Sequence, residues 1–142
     1  MITYCNKISV EDYNELRQSV EWPPIKPSKA QRGIDNTTCI IAMDEDKPVG
    51  MARILSDGGY VSYICDVIVR PEYQKLGIGK AVMNLVMEHI MGDLKEDETQ
   101  MIILVAVKEK ENFYTKFGFE VRPNENAGAG MTQWVKKVSK EE

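Results

Sequence analysis

The sequence predicts a mixed α/β fold of the α+β type, in which a mainly antiparallel, twisted sheet of about six to seven strands is flanked by about four helices. Three β-rich runs follow one another in the first half with only short turns between them, which is typical of an antiparallel meander. A helical stretch and a strongly apolar run come next, which indicates a strand–helix–strand unit behind the meander. The length of 142 residues fits a single domain, residues 1–142.

β-Branched and aromatic residues bounded by turn residues define the predicted strands. These strands are residues 2–6, 38–43, 49–55, 60–69, 101–107, 118–122 and 131–138. The run at 101–107 is almost wholly apolar, so we expect it to be buried on both faces in the centre of the sheet.

The predicted helices follow from apolar residues at helical spacing and from their end signals. They are residues 10–20, 29–34, 78–91 and 110–117. Ser9 with Asp12 three positions later resembles a capping box at the start of the first helix, which should end before Pro23. Ser28 is expected to cap the second helix.

Charge and hydropathy argue against two classes of partner. The 18 basic and 22 acidic side chains give a net charge of −4, so nucleic acid is not expected as a partner. The longest apolar run, residues 101–107, is far shorter than the about 20 residues that cross a bilayer, so no membrane association is expected. The N-terminal residues lack the pattern of a secretory signal, and a cytoplasmic location is expected.

The cysteines and the single histidine do not suggest a metal centre. Cys5, Cys39 and Cys65 form no CxxC pair, and His89 is the only histidine, so we expect neither a zinc site nor a disulfide framework. His89 lies among apolar residues of its helix and is interpreted as structural. Cys65 has no histidine nearby in the sequence to activate it as a nucleophile.

The most specific feature is a glycine-containing loop between a strand and a helix, Gln74-Lys-Leu-Gly77-Ile-Gly79. Free amides in the first turn of a helix bind anions, and glycines let the backbone approach a phosphate closely. Taken alone, two glycines more often mean only a tight turn. The dinucleotide fingerprint fails at Val82, and the Walker A motif fails at Gln74 and Ala81.

The loop does match the pattern Gln/Arg-x-x-Gly-x-Gly/Ala, and through it the chain resembles the GCN5-related N-acetyltransferase (GNAT) superfamily. Asp66-Val-Ile-Val-Arg-Pro-Glu-Tyr-Gln before the loop resembles the family's preceding strand. Asn112-Phe-Tyr-Thr-Lys-Phe-Gly-Phe after it resembles a later helix and strand, so the similar pattern extends over residues 60–119. The resemblance implies a GNAT-like sheet with splayed central strands, and acetyl-CoA as cosubstrate with no metal.

The resemblance also implies where acetyl-CoA binds. The strand before the loop would offer backbone groups to the pantetheine arm, the loop amides would surround the pyrophosphate, and Asn112 would contact the cofactor arm. The implied cofactor-binding residues are Val67, Ile68, Val69, Gln74, Lys75, Leu76, Gly77, Ile78, Gly79, Lys80 and Asn112. Leu76 stands where relatives often carry a basic residue, and Lys75 and Lys80 would supply positive charge instead.

The implied reaction is the transfer of an acetyl group to a primary amine by direct attack in a ternary complex. Tyr114 stands where the family places a tyrosine, and a phenol with a pKa of about 10 remains available to protonate the departing thiolate. Without the resemblance, Tyr114 reads as a packing aromatic beside Phe113. Asp66 is a candidate base for the amine proton, or a structural carboxylate that satisfies nearby donors.

The acceptor pocket is expected in the variable segments, namely the proline-rich elbow at residues 22–27, the second helix and the loop at 124–130. We expect a small-molecule amine as the acceptor. Two other interpretations stay open: a catalytically silent acyl-CoA-binding sensor or interaction module, and an interaction protein whose glycine turn is only structural. Exposed strand edges make a homodimer plausible.

Overall fold

The computed structural model describes residues 1–139 of the chain. Contacts within the chain divide it into two compact units, the first from Met1 to Leu104 and the second beginning at Val105. The described part of the first unit contains a β-sheet and three α-helices, and that of the second contains one short α-helix. The single domain expected from the length stays a prediction.

Five strands form the sheet, in chain order from one edge to the other. They are β1 Ile2–Cys5, β2 Thr38–Asp44, β3 Lys47–Ser56, β4 Val61–Val69 and β5 Met101–Leu104. The first four pair antiparallel, and β5 runs parallel to β4. The predicted mixed, mainly antiparallel sheet is therefore confirmed, with five strands among residues 1–139 rather than six to seven.

The four predicted α-helices are present. They are α1 Val10–Ser19, α2 Pro27–Asp35, α3 Ile78–Gly92 and α4 Glu111–Thr115. Ser9 caps α1 as predicted, because its hydroxyl accepts a hydrogen bond from the Asp12 amide at 3.1 Å. The prediction for Ser28 is wrong: α2 begins at Pro27, whose fixed φ suits the first helical position. None of the helices described is long and apolar enough to cross a membrane.

The two faces of the sheet are covered by different helices. One face packs on α1 and α2, around the buried residues Val10, Tyr13, Leu16, Ala30, Cys39, Ile41, Met51 and Ile68. The other face packs on α3, which buries Ile78, Val82, Met83, Val86 and Ile90. Gly50 marks the close approach on this side, since a Cβ there would lie 3.2 Å from both the Ile78 side chain and the Ile68 carbonyl.

The apolar run at residues 101–107 does not form a central strand. Only Met101–Leu104 is a strand, and it lies at the edge of the sheet with side chains that alternate between exposed and half-buried. No strand of the described residues pairs with its outer edge, so β5 is an edge strand. The prediction of a strand buried on both faces was wrong because it rested on apolar composition without a known neighbour.

Two further predicted strands, 118–122 and 131–138, are irregular in the structure. Gly118 has a φ of +92°, and after Val121 the chain folds into a tight turn closed by a bridge between Asn124 and Ala127. Segment 131–138 contains the apolar residues Met131, Trp134, Val135 and Val138, yet Trp134 is 96% exposed. A strand needs a hydrogen-bonded neighbour, and no described residue pairs with either segment.

Candidate active site

The parallel pairing between β4 and β5 stops halfway along β4. It runs from Val61 opposite Met101 to Ile64 opposite Leu104, whereas β4 continues to Val69. The backbone edge of residues 65–69 on the β5 side is therefore unoccupied by any described strand. This is the splay that the family resemblance predicts, and it leaves backbone donors and acceptors open to an extended ligand.

The predicted pantetheine-contact residues on this edge differ in exposure. Ile68 is 1% exposed and belongs to the core against α1 and α2, so only its backbone is available to a ligand. Val67 and Val69 are half-buried. The Gln74 side-chain amide donates to the Val69 carbonyl at 2.9 Å, which ties the following loop to the end of the strand.

β4 contains a bulge at the start of its open edge. Met51 and Arg53 of β3 pair with Ile68 and Cys65, so two residues of β4 stand opposite one residue of β3. Asp66 is the bulged residue with a φ of +50°, a conformation that Asp tolerates better than most side chains. The bulge thus re-aims the Asp66 side chain just beyond the point where β4 and β5 part.

Residues 75–80, the amide loop, carry backbone donors that the protein does not use. The Gln74 amide closes the preceding turn on the Pro71 carbonyl, and the first helical bond of α3 runs from the Ala81 amide to the Gly77 carbonyl. Between these two bonds, no described residue accepts a hydrogen bond from the amides of residues 75–80. Gly77 has a φ of +83° with open space beside it, so glycine is favoured there by conformation.

The amide loop suits a bound pyrophosphate. Unpaired amides at the N-terminus of the 15-residue helix α3 combine hydrogen-bond donors with the positive end of the helix dipole. Lys75 and Lys80 are exposed, so their ammonium groups can reach an anion at the loop. The Leu76 side chain is 68% exposed and is not part of the buried core. The residues present therefore fit the diphosphate group of a CoA-type ligand.

Asp66 lies at the centre of a group that we call the buried cluster, comprising Tyr13, Arg17, Arg53 and Asp66. One Asp66 oxygen accepts a bond from the Tyr13 hydroxyl at 2.5 Å and another from Arg53 Nε at 2.8 Å. Its other oxygen accepts a bond from Arg17 Nη1 at 3.1 Å. The Arg17, Arg53 and Asp66 side chains are only 12%, 16% and 11% exposed, so these are largely desolvated charges.

The two arginines of the buried cluster also hold the segments around it. Arg17 Nε donates to the Pro23 carbonyl at 2.9 Å, and its guanidinium lies 5.5 Å from the Trp22 ring centroid, so it fixes the elbow at 22–27. Arg53 Nη1 donates to the Gly33 carbonyl at 3.0 Å and to the Thr37 hydroxyl at 3.1 Å. The bulge is thereby connected to the elbow and to α2, two segments expected to line the acceptor pocket.

Burial and the Asp66 charge keep the hydroxyl and thiol groups around the cluster protonated. Burial and the hydrogen bond to Asp66 raise the pKa of Tyr13 to about 12. Burial raises the pKa of Cys65 to about 11, so this thiol is neutral near pH 7 and poorly suited to act as a nucleophile. Burial also raises the pKa of Tyr63 and of Cys39.

Asp66 is a candidate from the sequence alone, whereas its three partners are not. Arg53 carried a usable signal, because it follows Val49 and Met51 at alternate positions of a strand and so faces the same side as two buried residues. Tyr13 and Arg17 lie on the sheet-facing side of α1, four positions apart, where a cation is unusual. A charge at an inward position of one element predicts an opposite charge on its neighbour.

Tyr114 and Asn112 lie on α4 in the second unit. The Tyr114 ring packs edge-on against Phe113 with centroids 5.0 Å apart and against Phe119 at 6.4 Å. Burial raises the pKa of Tyr114 above the ordinary value for a phenol, so it stays protonated through neutral pH. Asn112 is exposed.

The remaining candidates do not assemble a second reactive centre. His89 is half-exposed, and its Nε2 lies 3.9 Å from an Asp93 oxygen four residues further along α3, a helix-surface contact. A cavity of about 700 Å³ lies beside His89 and Gln100, toward the C-terminal end of α3. It is separated from the amide loop by most of the helix, about 20 Å. The described residues include no group of three or more metal-ligating side chains.

Comparison with known sequences identifies relatives of the chain. The family model of the acetyltransferase (GNAT) domain matches residues 35–121. An uncharacterized N-acetyltransferase, ycf52, from Pyropia yezoensis is 31% identical over 122 residues, which cover 82% of this chain and 68% of the relative. Serotonin N-acetyltransferase 2, a chloroplastic protein of Oryza sativa subsp. japonica, is 29% identical and is aligned over 82% of this chain and 59% of its own length.

Comparison with solved structures agrees with the sequence relatives. A probable acetyltransferase of unknown function from methicillin-resistant Staphylococcus aureus superposes with a TM-score of 0.83 at 27% identity, covering 94% of this chain and 100% of the other. A GNAT family acetyltransferase from Streptococcus pneumoniae superposes with a TM-score of 0.72, also at 27% identity, covering 97% and 98%.

Proposed function

The chain belongs to the GCN5-related N-acetyltransferase (GNAT) superfamily, and from that premise we propose that it transfers an acetyl group from acetyl-CoA to a primary amine by direct attack in a ternary complex. The observation that carries the proposal is the amide loop, whose backbone donors at residues 75–80 have no acceptor among the described residues. The acceptor we propose is a small-molecule amine, which the name of the rice relative supports.

The proposed cofactor path follows the open edge of β4. Amides of residues 75–80 bind the pyrophosphate, and backbone groups of Val67, Ile68 and Val69 face the pantetheine arm. From Val69 back to Cys65 the strand spans about 13 Å, since a strand advances about 3.3 Å per residue. This path leads the thioester toward Cys65, where β4 and β5 part, with Asn112 as a further contact to the arm.

The proposed chemistry is acyl transfer with Tyr114 as general acid. Acetyl-CoA supplies an activated thioester carbonyl, which the neutral amine attacks with formation of a C–N bond. When the C–S bond breaks, the Tyr114 hydroxyl gives its proton to the leaving sulfur and recovers one from water. Because burial raises the pKa of Tyr114 above the ordinary value for a phenol, the hydroxyl keeps its proton near neutral pH and can donate it.

Asp66 is better suited to positioning than to accepting the amine proton. Three hydrogen bonds from Tyr13, Arg17 and Arg53 already occupy its two oxygens. Of the two roles that the sequence left open for Asp66, we therefore propose the structural one, in which the carboxylate holds both guanidiniums beside the splay. Solvent is then the acceptor of the amine proton.

Calorimetric titration with acetyl-CoA, beside NADH and ATP as phosphate-bearing controls, tests the cofactor part of the proposal. Selective binding of acetyl-CoA is expected. Failure of acetyl-CoA to bind to folded protein at millimolar concentration would reduce the amide loop to a structural turn. A cytoplasmic location and a homodimer remain expectations that accompany the proposal.

Release of CoA from an amine panel tests the catalytic part. Tyr114→Phe is expected to lower kcat by about 100-fold or more while leaving acetyl-CoA affinity unchanged. Tyr60→Phe is the matched control, because Tyr60 is 70% exposed in a turn of the first unit. Binding without turnover of any amine would favour a catalytically silent acyl-CoA-binding module, and equal turnover by Tyr114→Phe would remove its role as acid.

A further inference from the structure

We infer that the acceptor amine carries an anionic group close to its nitrogen, and that Arg17 and Arg53 of the buried cluster receive that group. The inference rests on the proposed function, because it describes the substrate of the same site.

The buried cluster has one positive charge more than it has negative charges. Two guanidiniums face a single carboxylate, that of Asp66. Among the described residues, no other carboxylate lies within 4.0 Å of either guanidinium. Four nearby phenol and thiol groups have raised pKa values and are neutral at pH 7: Tyr13, Cys39, Tyr63 and Cys65. An unbalanced charge in a desolvated setting is costly, and an anionic ligand would offset that cost.

Each arginine has hydrogen-bonding capacity left. Arg17 uses Nε and Nη1, and Arg53 uses the same two nitrogens, so no described residue accepts a bond from either Nη2. Every fully buried side-chain nitrogen or oxygen among the described residues does have a partner. The two Nη2 groups therefore reach solvent, and each offers two N–H donors to an incoming anion.

The surplus charge lies where the acceptor must approach. Arg53 pairs across the sheet with Cys65, the first residue of β4 beyond its pairing with β5. Arg17 reaches the same place through Asp66 and is covered by Trp22 of the elbow. An amine that attacks a thioester near Cys65 would thus bring any anionic group on the adjacent carbon within reach of the guanidiniums.

The size of the imbalance favours a carboxylate over a phosphate. One surplus positive charge is neutralised by one carboxylate, whereas a phosphate dianion would leave a net negative charge in a largely desolvated place. Guanidiniums bind both groups in the same forked geometry, so the shared chemistry is an oxyanion and the choice is an outcome of the test.

The test compares amines that differ only in the anionic group. Tryptophan is matched with tryptamine, tyrosine with tyramine, and O-phosphoethanolamine with ethanolamine, with CoA release followed for each. The carboxylated members are expected to show kcat/KM values about tenfold or more above their partners. N-acetyltryptophan is likewise expected to bind more tightly than N-acetyltryptamine in calorimetry without acetyl-CoA present.

Arg17 variants connect this preference to the buried cluster. Arg17→Gln should remove most of the preference, and Arg17→Lys should keep part of it because the charge remains. Faster turnover of tryptamine and tyramine in the wild-type protein would overturn the inference and leave the proposed function intact. An equal loss by Arg17→Gln on both members of each pair would also overturn it, since the charge would then act on the reaction itself. Absence of any acetyl-CoA binding would overturn both.

Discussion

The buried cluster and the amide loop lie at the two ends of the open edge of β4, and they treat polar groups in opposite ways. In the buried cluster, three side chains donate to both oxygens of one carboxylate that is 11% exposed. In the amide loop, six consecutive backbone amides, those of residues 75–80, have no acceptor among the described residues. The Asp66 carboxylate receives its hydrogen bonds from within the protein, whereas the loop amides are left for a ligand.

The difference separates the Asp66 carboxylate, which holds the site together, from the loop amides, which bind within it. A carboxylate that accepts three hydrogen bonds from the protein contributes to stability, and its removal is felt first in the free energy of unfolding. Backbone donors left without an acceptor contribute little to folding and are positioned for an anion. Substitutions in the two regions should therefore affect different measurements.

Asp66→Asn should have the largest effect, lowering the free energy of unfolding by about 3–5 kcal/mol. Asparagine retains the tolerance for the positive φ of this position, so backbone strain changes little. The loss comes from two guanidiniums left without a counter-charge, and from an amide NH₂ placed against donors. Urea unfolding of variant and wild type measures the difference.

Asp93→Asn provides the reference for this change, because the Asp93 side chain is 84% exposed and should alter stability by less than about 1 kcal/mol. If Asp66→Asn stays as stable as Asp93→Asn, the cluster does not depend on the charge of Asp66. The pH profile of kcat/KM then decides between roles. An unchanged acid limb supports positioning, whereas a stable variant without turnover would make Asp66 the base.

Gly79→Glu should come next and act on binding alone. A carboxylate at the start of α3 repels a pyrophosphate and its side chain occupies the loop, so acetyl-CoA affinity should fall by about 100-fold, equivalent to about 2.7 kcal/mol. Gly92→Glu at the other end of α3 is the matched control, because a Cβ there meets nothing within 4 Å. Calorimetry measures both, and unchanged affinity in Gly79→Glu would contradict the assignment of the loop.

The helices and the first four strands were predictable because their signals are local. Ser9 caps α1 through a bond to a residue three positions away, and turn residues separate the strands of the meander. The end of the chain was not predictable in the same way. Segment 131–138 contains apolar and aromatic residues but does not alternate apolar with polar ones, and a strand exists only with a neighbour that the sequence does not specify.

The two parts of the candidate site also differ in how far the sequence predicts them. The amide loop is a continuous motif, so Gln74, Gly77 and Gly79 point to it directly from the sequence. The buried cluster joins α1 to the bulge of β4, and Tyr13 and Asp66 are 53 positions apart. Its assembly depends on a bulge in which Asp66 has a φ of +50°. No local sequence pattern predicts that bulge.

Tyr13→Phe should have the smallest effect on stability. It removes the Tyr13 hydroxyl, one hydrogen-bond donor to Asp66, while both charges of the Arg17–Asp66 pair remain. Loss of a buried hydrogen bond to a carboxylate should cost about 1.5 kcal/mol of unfolding free energy, whereas Tyr60→Phe, at a position 70% exposed, should cost almost nothing. Folding raises the pKa of Tyr13 to about 12, so its contribution is complete below about pH 10 and is lost as the pH rises through 12. The stability difference between wild type and Tyr13→Phe should therefore be constant from pH 7 to 9 and shrink above pH 10. A difference that grew with pH in that window would mean that the phenolate, not the phenol, is the form bound in the cluster.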